Sequence, residues 1–299
     1  MRMLAPAKLN LRLRVLGQRV DGYHSIETLF LRLGLADELV IDEAPGLRLE
    51  ARGDFEVPAG ATNIAWRAAD AFFEKSGRSS AASIHLVKRI PVAAGLGGGS
   101  SDAASVLAGL NQRHDHLFDR EQLMALAGRL GSDVPFFLAG VPFALAWGRG
   151  CRLLPLTPPP SRPVLVIVPD FGVSAADAYA WRRADIENEL QRDWSAPGEL
   201  PPAAELADWD VLSGLAVNDL QPAVLRRHAE LRAAADALAC TGPKLMTLCG
   251  SGSCLAGIFR TESERDHASE ELSGAGVIGF GWKLISTWTE GPGESSASG

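Results

Sequence analysis

One stretch, Gly95-Leu96-Gly97-Gly98-Gly99-Ser100-Ser101-Asp102, constrains this chain more than any other. It follows residues 83–90, whose alternation of apolar and polar side chains predicts a strand ending at Pro91. It leads into an alanine-rich segment with Ala103, Val106, Leu107 and Leu110 at helical spacing, a helix expected to open at Ser101 or Asp102. Glycines in that position let the backbone approach a ligand closely and turn several N–H groups one way. The helix start adds its own free N–H groups and a positive dipole end. A tight surface turn would use the same residues, but the strand–glycine–helix order favours a cradle for a di- or triphosphate. Other cradles are excluded. No G-x-x-x-x-G-K-[ST] occurs, Ser100 stands where a dinucleotide fingerprint needs its last glycine, and no G-x-S-x-G turn is present.

Around this turn the chain mixes strands and helices without strict alternation, which predicts an α+β fold. Leu9, Leu11, Leu13 and Val15 alternate with Lys8, Asn10, Arg12 and Arg14, predicting a half-buried strand with Lys8 and Asn10 together on its polar face. Further strands are expected over 28–35, 37–41 and 164–168. Helices are expected over 64–75, capped by Thr62 or Asn63, over 120–130, closed by Gly131 in left-handed conformation, and over 223–239. Pro135 predicts an extended or turn conformation, residues 194–202 a loop, and Gly250-Ser251-Gly252-Ser253 a second glycine turn. The proline run 157–163 is the stiffest segment and divides a domain of residues 1–157 from one of residues 158–290. The tail 291–299 is expected to be disordered.

Charge and composition narrow the ligands. Lys and Arg number 29 against 36 Asp and Glu, a net charge of −7, so neither nucleic acid nor an anionic membrane is expected as partner. An anion must be gripped locally. The four cysteines form no CxxC pair and the histidines show no metal-ligand spacing. No apolar run approaches the ~18 residues of a membrane span. Lys8, Arg12 and Arg14 interrupt the N-terminal apolar stretch, which rules out a signal peptide and points to the cytoplasm.

Three further places carry chemistry. Asp133, flanked by Val134, Pro135 and Phe136, reads alone as a solvated turn carboxylate; desolvated by those neighbours it would suit a general base. Lys8 is the natural cation for it, although nothing in their separation along the chain says that they meet. Asp21-Gly22-Tyr23-His24 reads either as an ordinary hairpin turn or as a loop whose ring and imidazole recognise a heterocycle.

Taken in order, these residues resemble a family. Pro6-Ala7-Lys8-Leu9-Asn10-Leu11, Asp21-Gly22-Tyr23-His24, Pro91 through Ser101, Leu130-Gly131-Ser132-Asp133-Val134-Pro135-Phe136-Phe137 and Gly250-Ser251-Gly252-Ser253 are similar to motifs of the galactokinase, homoserine, mevalonate and phosphomevalonate kinase (GHMP) superfamily. The combination is most like the branch acting on a cytidine-diphosphate-linked methylerythritol, and Asn218-Asp219-Leu220 is a further landmark. The resemblance implies a two-domain GHMP-kinase fold: an N-terminal domain like the second domain of ribosomal protein S5, a ferredoxin-like C-terminal domain, and the active site in the cleft between them.

The resemblance also implies transfer of the ATP γ-phosphoryl group to a tertiary C2 hydroxyl in the non-mevalonate route to isoprenoid precursors. Asp133 would take the hydroxyl proton, and Lys8 would orient Asp133 and stabilise charge on the oxygen. Pro91, Val92, Ala93, Ala94, Gly95, Leu96, Gly97, Gly98, Gly99, Ser100 and Ser101 would wrap the ATP phosphates, with Asn63 and Lys88 on the nucleotide and Ser100 or Ser101 near Mg²⁺. Asn10, Tyr23 and His24 would meet the substrate, and Tyr179 or Trp181 would close the other face of its cytosine. Cys249 and Trp147 depart from the family pattern. A small-molecule partner and a monomer or weak homodimer are expected. A GHMP-type kinase of homoserine or phosphomevalonate, or a non-catalytic nucleotide-binding relative, is the alternative.

Overall fold

A computed structural model describes residues 1–192, 199–279 and 281–292, in eleven strands and nine α-helices among those residues. The first part of the chain runs β1 (Arg2–Gln18), β2 (His24–Asp42), β3 (Arg48–Gly53), α1 (Ile64–Ser76), β4 (Ser83–Lys88), α2 (Gly98–Arg113), α3 (Arg120–Leu130), α4 (Val134–Leu138), β5 (Phe143–Gly148) and β6 (Arg152–Pro155). The second runs β7 (Pro163–Val168), α5 (Ala175–Glu187), α6 (Trp209–Leu215), β8 (Val217–Asn218), α7 (Gln221–Arg227), α8 (Ala229–Cys240), β9 (Leu245–Leu248), β10 (Leu255–Ile258), α9 (Glu262–Gly274) and β11 (Lys283–Trp288). Residues 194–198 of the expected loop and 293–299 of the expected tail lie outside the described residues.

The long antiparallel pair β1–β2 is the spine of a sheet ordered β3-β4-β2-β1-β8, with β5 paired to the first half of β2 and β6 to β5. The segments expected as strands over 28–35 and 37–41 are one strand, because β5 and β4 pair successive halves of β2 and leave no reason to break at Ala36. The expected half-buried face of β1 is also corrected: both faces are covered. Leu9, Leu11, Leu29 and Leu31 pack against Val164, Val166, Ala256 and Ile258 of the second sheet. On the other face Phe30, Leu39 and Ile41 meet α1 and α2 through Phe72, Phe73, Val106 and Leu107. Each such leucine or phenylalanine contributes about 1.5–3 kcal/mol by leaving water.

The second sheet is antiparallel with order β11-β7-β10-β9, the ferredoxin-like arrangement in which the first strand lies between the fourth and the third. The chain passes between the sheets within 157–163, where Trp209 Nε1 donates to the Pro160 carbonyl at 2.7 Å. It returns at β8, which pairs in parallel with Arg12 and Leu13 of β1, so the later residues complete the earlier sheet.

Four local expectations change. The strand expected over 83–90 stops at Lys88, because the N–H groups of Arg89 and Ile90 turn to Asp37 Oδ1 at 2.6 and 2.8 Å. Gly131 closes α3 in extended rather than left-handed conformation, with φ −179°. Pro135 lies in the first turn of α4 instead of an extended segment, where its missing N–H costs nothing. The helix expected over 223–239 is two helices, α7 and α8, broken at His228 (φ −124°, ψ 88°).

Candidate active site

Asp133 is fixed in place by α4, the short helix that begins at the next residue. Within that helix Val134, Phe136 and Phe137 are buried and anchor it in the core. Phe136 packs on Phe30 of β2 with ring centroids 4.9 Å apart, and Lys8 Nζ stands 5.4 Å from the Phe30 ring centre. These contacts bring Lys8 Nζ to 3.5 Å from Asp133 Oδ2. At a register shift between Pro6 and Lys8 the Lys8 N–H bonds to the Leu96 carbonyl at 2.9 Å, tying β1 to the glycine loop. The ammonium donates to Asn10 Oδ1 at 2.7 Å and to the Gly95 carbonyl at 3.0 Å. Asn10 in turn donates to Thr28 Oγ1 at 2.8 Å, and Thr28 to the Arg12 carbonyl at 2.6 Å. Lys8 is thus a fixed, buried cation, with 4% of its side chain exposed, whereas Asp133 keeps 28% open to a cavity. A hydroxyl can reach the carboxylate.

The glycine loop approaches the same pair. α2 opens at Gly98, earlier than expected, so Gly98, Gly99 and Ser100 form its first turn and offer N–H groups without partners in the helix. Gly97 caps it at φ +75°. Gly95, at φ +79°, crosses the second glycine turn so closely that a Cβ would lie 1.7 Å from the Cys249 carbonyl oxygen. Gly95→Ala is therefore expected to destabilise the protein by roughly 3 kcal/mol or more and to lower its thermal midpoint. An unchanged midpoint would mean that the 249–252 turn moves aside freely. The Cys249 thiol itself is pushed up to about 12 by burial, with Lys8 opposing, and is a neutral packing group.

Asn63, Lys88, Pro91, Val92, Ala93, Ala94, Gly95, Gly97, Gly98, Gly99 and Ser100 line a cavity of about 360 Å³, joined by Asp102. Leu96 and Ser101, expected at the phosphates, do not: both are buried behind the loop, Leu96 in the apolar layer between the sheets. Asn63 caps α1, its Oδ1 accepting from the Ala65 N–H and its Nδ2 donating to the Pro58 carbonyl, each at 2.9 Å. Lys88 sits within the cavity wall, its ammonium bonded to Asp37 and, at 2.9 Å, to Asp102. Burial works against that ammonium, but Asp102 and Asp37 outweigh it and hold Lys88 above the ordinary lysine value. Burial pushes the Asp102 carboxyl up to about 7, with Lys88 opposing and Asp37 adding. The charge of Lys88 is thus paired with Asp37 and Asp102 inside the wall.

The oxygens here suit a hard cation. Ser100 and Asp102 line the cavity, and Asp102 Oδ1 is buried without a hydrogen-bond partner. Ser101 Oγ also lacks one but is fully buried. Among the described residues no cluster of three or more His, Cys, Asp or Glu forms a cage. Such a set fits Mg²⁺ carried largely by phosphates, with one or two protein oxygens.

A second cavity, about 630 Å³, is lined by Lys8, Asn10, Asp133, Tyr23, His24 and Tyr179 among others. Gly95 and Gly97 line both cavities, so the Lys8–Asp133 pair stands where they meet. The Asp21-Gly22 turn joins β1 to β2 and carries Tyr23 and His24 into the wall. The His24 ring stacks on Tyr179 of α5 with centroids 4.3 Å apart, which leaves no room for a base between those two rings. Burial, then Arg183 and Arg182, hold the His24 imidazole below its ordinary value, so near pH 7 it offers one donor and one acceptor. Burial pushes the Tyr179 phenol up and keeps it a donor. Trp181, two residues further along the helix, lies outside the cavity and packs by His228 and Arg227. Sequence reasoning missed Arg149, Arg183, Ser132 and Ser251 in this wall. Ser132 and Ser251 stood inside quoted motifs and Arg149 between two glycines, whereas Arg183 had no signal.

Comparisons with known proteins bear on the family and the fold. Residues 63–141 match the family model described as "GHMP kinases N terminal domain" and residues 202–278 that described as "GHMP kinases C terminal". The "4-diphosphocytidyl-2-C-methyl-D-erythritol kinase" of Citrifermentans bemidjiense is 40% identical over 280 residues, covering 92% of this chain and 95% of its own. That of Nocardia farcinica is 38% identical, covering 91% and 89%. A crystal structure of a 4-(cytidine 5'-diphospho)-2C-methyl-D-erythritol kinase superposes with a TM-score of 0.79 at 35% identity, covering 97% of this chain and all of that one. Homoserine kinase from Cytophaga hutchinsonii, at 15% identity and TM-score 0.67 over 96% and 94% of the two chains, shares the fold alone. With likeness at this level along nearly its whole length, the chain belongs to the 4-diphosphocytidyl-2-C-methyl-D-erythritol kinases of the GHMP superfamily.

Proposed function

We propose that this protein transfers the γ-phosphoryl group of ATP to the C2 hydroxyl of 4-(cytidine 5'-diphospho)-2-C-methyl-D-erythritol, a step toward isoprenoid precursors. The observation that carries the reading is the Lys8–Asp133 pair at the junction of a glycine-lined cavity and an aromatic one. Phosphoryl transfer asks a protein chiefly for positioning and charge stabilisation. Asp133 accepts the hydroxyl proton as the oxygen attacks. Lys8, already bonded to Asn10 and Gly95, holds the carboxylate and offsets charge on that oxygen. The free N–H groups of Gly98, Gly99 and Ser100 receive the phosphates of ATP, which is how a chain of net charge −7 binds a polyanion. Ser100 and Asp102 are the oxygens that would hold Mg²⁺, which when bound neutralises phosphate charge. Tyr23, His24 and Tyr179 form the wall against which the cytosine binds.

A coupled assay of ADP release tests the reading. Turnover is expected with the cytidine-diphosphate-linked alcohol and not with homoserine, mevalonate or phosphomevalonate, and the reverse preference would overturn it. Tyr179→Ala is expected to raise KM for the cytidine substrate about tenfold, the scale of a lost aromatic contact, while Trp181→Ala leaves it within a factor of about two. Equal effects of the two substitutions would remove Tyr179 from the site.

A further inference from the structure

Two arginines in the larger cavity are not used by the chemistry above. Arg149 lies in the turn between β5 and β6, between Gly148 (φ +71°) and Gly150 (φ +95°), and its guanidinium stacks 3.7 Å from the centre of the Tyr23 ring. Its Nε is buried without a hydrogen-bond partner. The Asp21 carboxylate beside it is already bonded by Arg19, at 3.1 and 3.2 Å. Arg183 is exposed on α5, the helix that also supplies Tyr179, and makes no ion pair among the described residues. One arginine comes from the first sheet and the other from the second domain's helix, and both face the same space.

The charges in this wall can be counted. Lys8 and Asp133 cancel as a pair, and His24 is neutral near pH 7. Arg149 and Arg183 remain, a surplus of two positive charges in a chain whose total is negative. Pairing guanidinium donors with phosphate oxygens is the ordinary use of such unpartnered forks. We propose that Arg149 and Arg183 together clamp the diphosphate bridge of the substrate, one from each domain, and so set the selectivity for a nucleoside-diphosphate-linked alcohol over a free one. A diphosphate diester carries one negative charge on each phosphate, which matches the surplus. Because the two arginines belong to different parts of the fold, binding the bridge also draws α5 and the β5–β6 turn onto one ligand. This inference rests on the function proposed above and deepens it.

The test compares cytidine, CMP and CDP as ligands of the full-length protein, in the wild type and in Arg149→Gln and Arg183→Gln, alongside KM for the complete substrate. In the wild type CDP is expected to bind at least ~100-fold more tightly than cytidine, as two charge-assisted contacts permit. Each variant is expected to lose about tenfold in CDP affinity and to raise KM for the substrate about tenfold, with cytidine binding and KM for ATP within about twofold. Arg183→Lys, which keeps the charge, should recover part of the loss. Arg183 is exposed, so its substitution keeps the test open even if Arg149→Gln lowers stability. Parallel loss of cytidine and CDP binding would overturn the clamp, since the arginines would then act through the aromatic wall, and so would unchanged CDP binding in both variants. A wild type that turns over the substrate while the variants behave normally defeats the clamp alone. A wild type that neither binds cytidine nor turns over the substrate defeats the function on which the clamp rests.

Discussion

Asp133→Ala is expected to lower kcat by a factor of at least ~100, the range for removal of a positioned general base, with KM for ATP within about twofold. The carboxylate is the partly exposed member of the pair, reachable from the larger cavity, and Lys8 keeps Asn10 Oδ1 and the Gly95 carbonyl as acceptors without it. Its loss removes a proton acceptor without opening a hole, so the melting temperature should change little. Asp133→Asn serves as the sharper control, because it keeps the shape and removes the basicity. Near-wild-type turnover in both variants would assign the proton to another group and leave α4 as a structural element only.

Lys8→Ala is the second large effect, and it differs in kind. The expected loss in kcat is again at least ~100-fold, the scale of a preorganised charge removed from a water-poor site. Here stability falls as well. The ammonium is buried and satisfies Asn10 Oδ1, the Gly95 carbonyl and Asp133 together, so its removal leaves buried acceptors without a donor, at about 1–3 kcal/mol. Thermal melting separates the two consequences. Asp133→Ala should affect rate alone, and Lys8→Ala rate and melting together. A Lys8→Ala protein with full activity would show that Asp133 works without a cation and would dissolve the pair as the centre of the site.

The contrast between Lys8 and Lys88 explains how much of this could be read from the chain. Both are lysines on strands, and by resemblance both belong at the site. Lys8 meets Asp133 in the wall of the larger cavity, whereas Lys88 lies in the wall of the smaller one, held by Asp37 and Asp102. What each lysine pairs with depends on acids elsewhere along the chain, 14 and 51 positions away for Lys88. Tyr179 and Trp181 make the same point on one helix: two positions apart, they point in different directions. Arg183 was illegible for the same reason, and the glycines flanking Arg149 mark a turn without saying what its guanidinium meets, since an arginine carries no pattern until its partners, or their lack, are in view.

From the chain alone came the strand, glycine turn and helix that border the smaller cavity, the α+β class, and the order of motifs that marks the family. These are local: backbone freedom at glycine and side-chain periodicity act over a few residues. Only the tertiary structure decided that β8 returns to the first sheet, that β1 is buried on both faces, and that an ammonium and a carboxylate from distant segments stand 3.5 Å apart where two cavities join. Burial and charge pairing are properties of what surrounds a residue in space, and the linear chain does not record its neighbours.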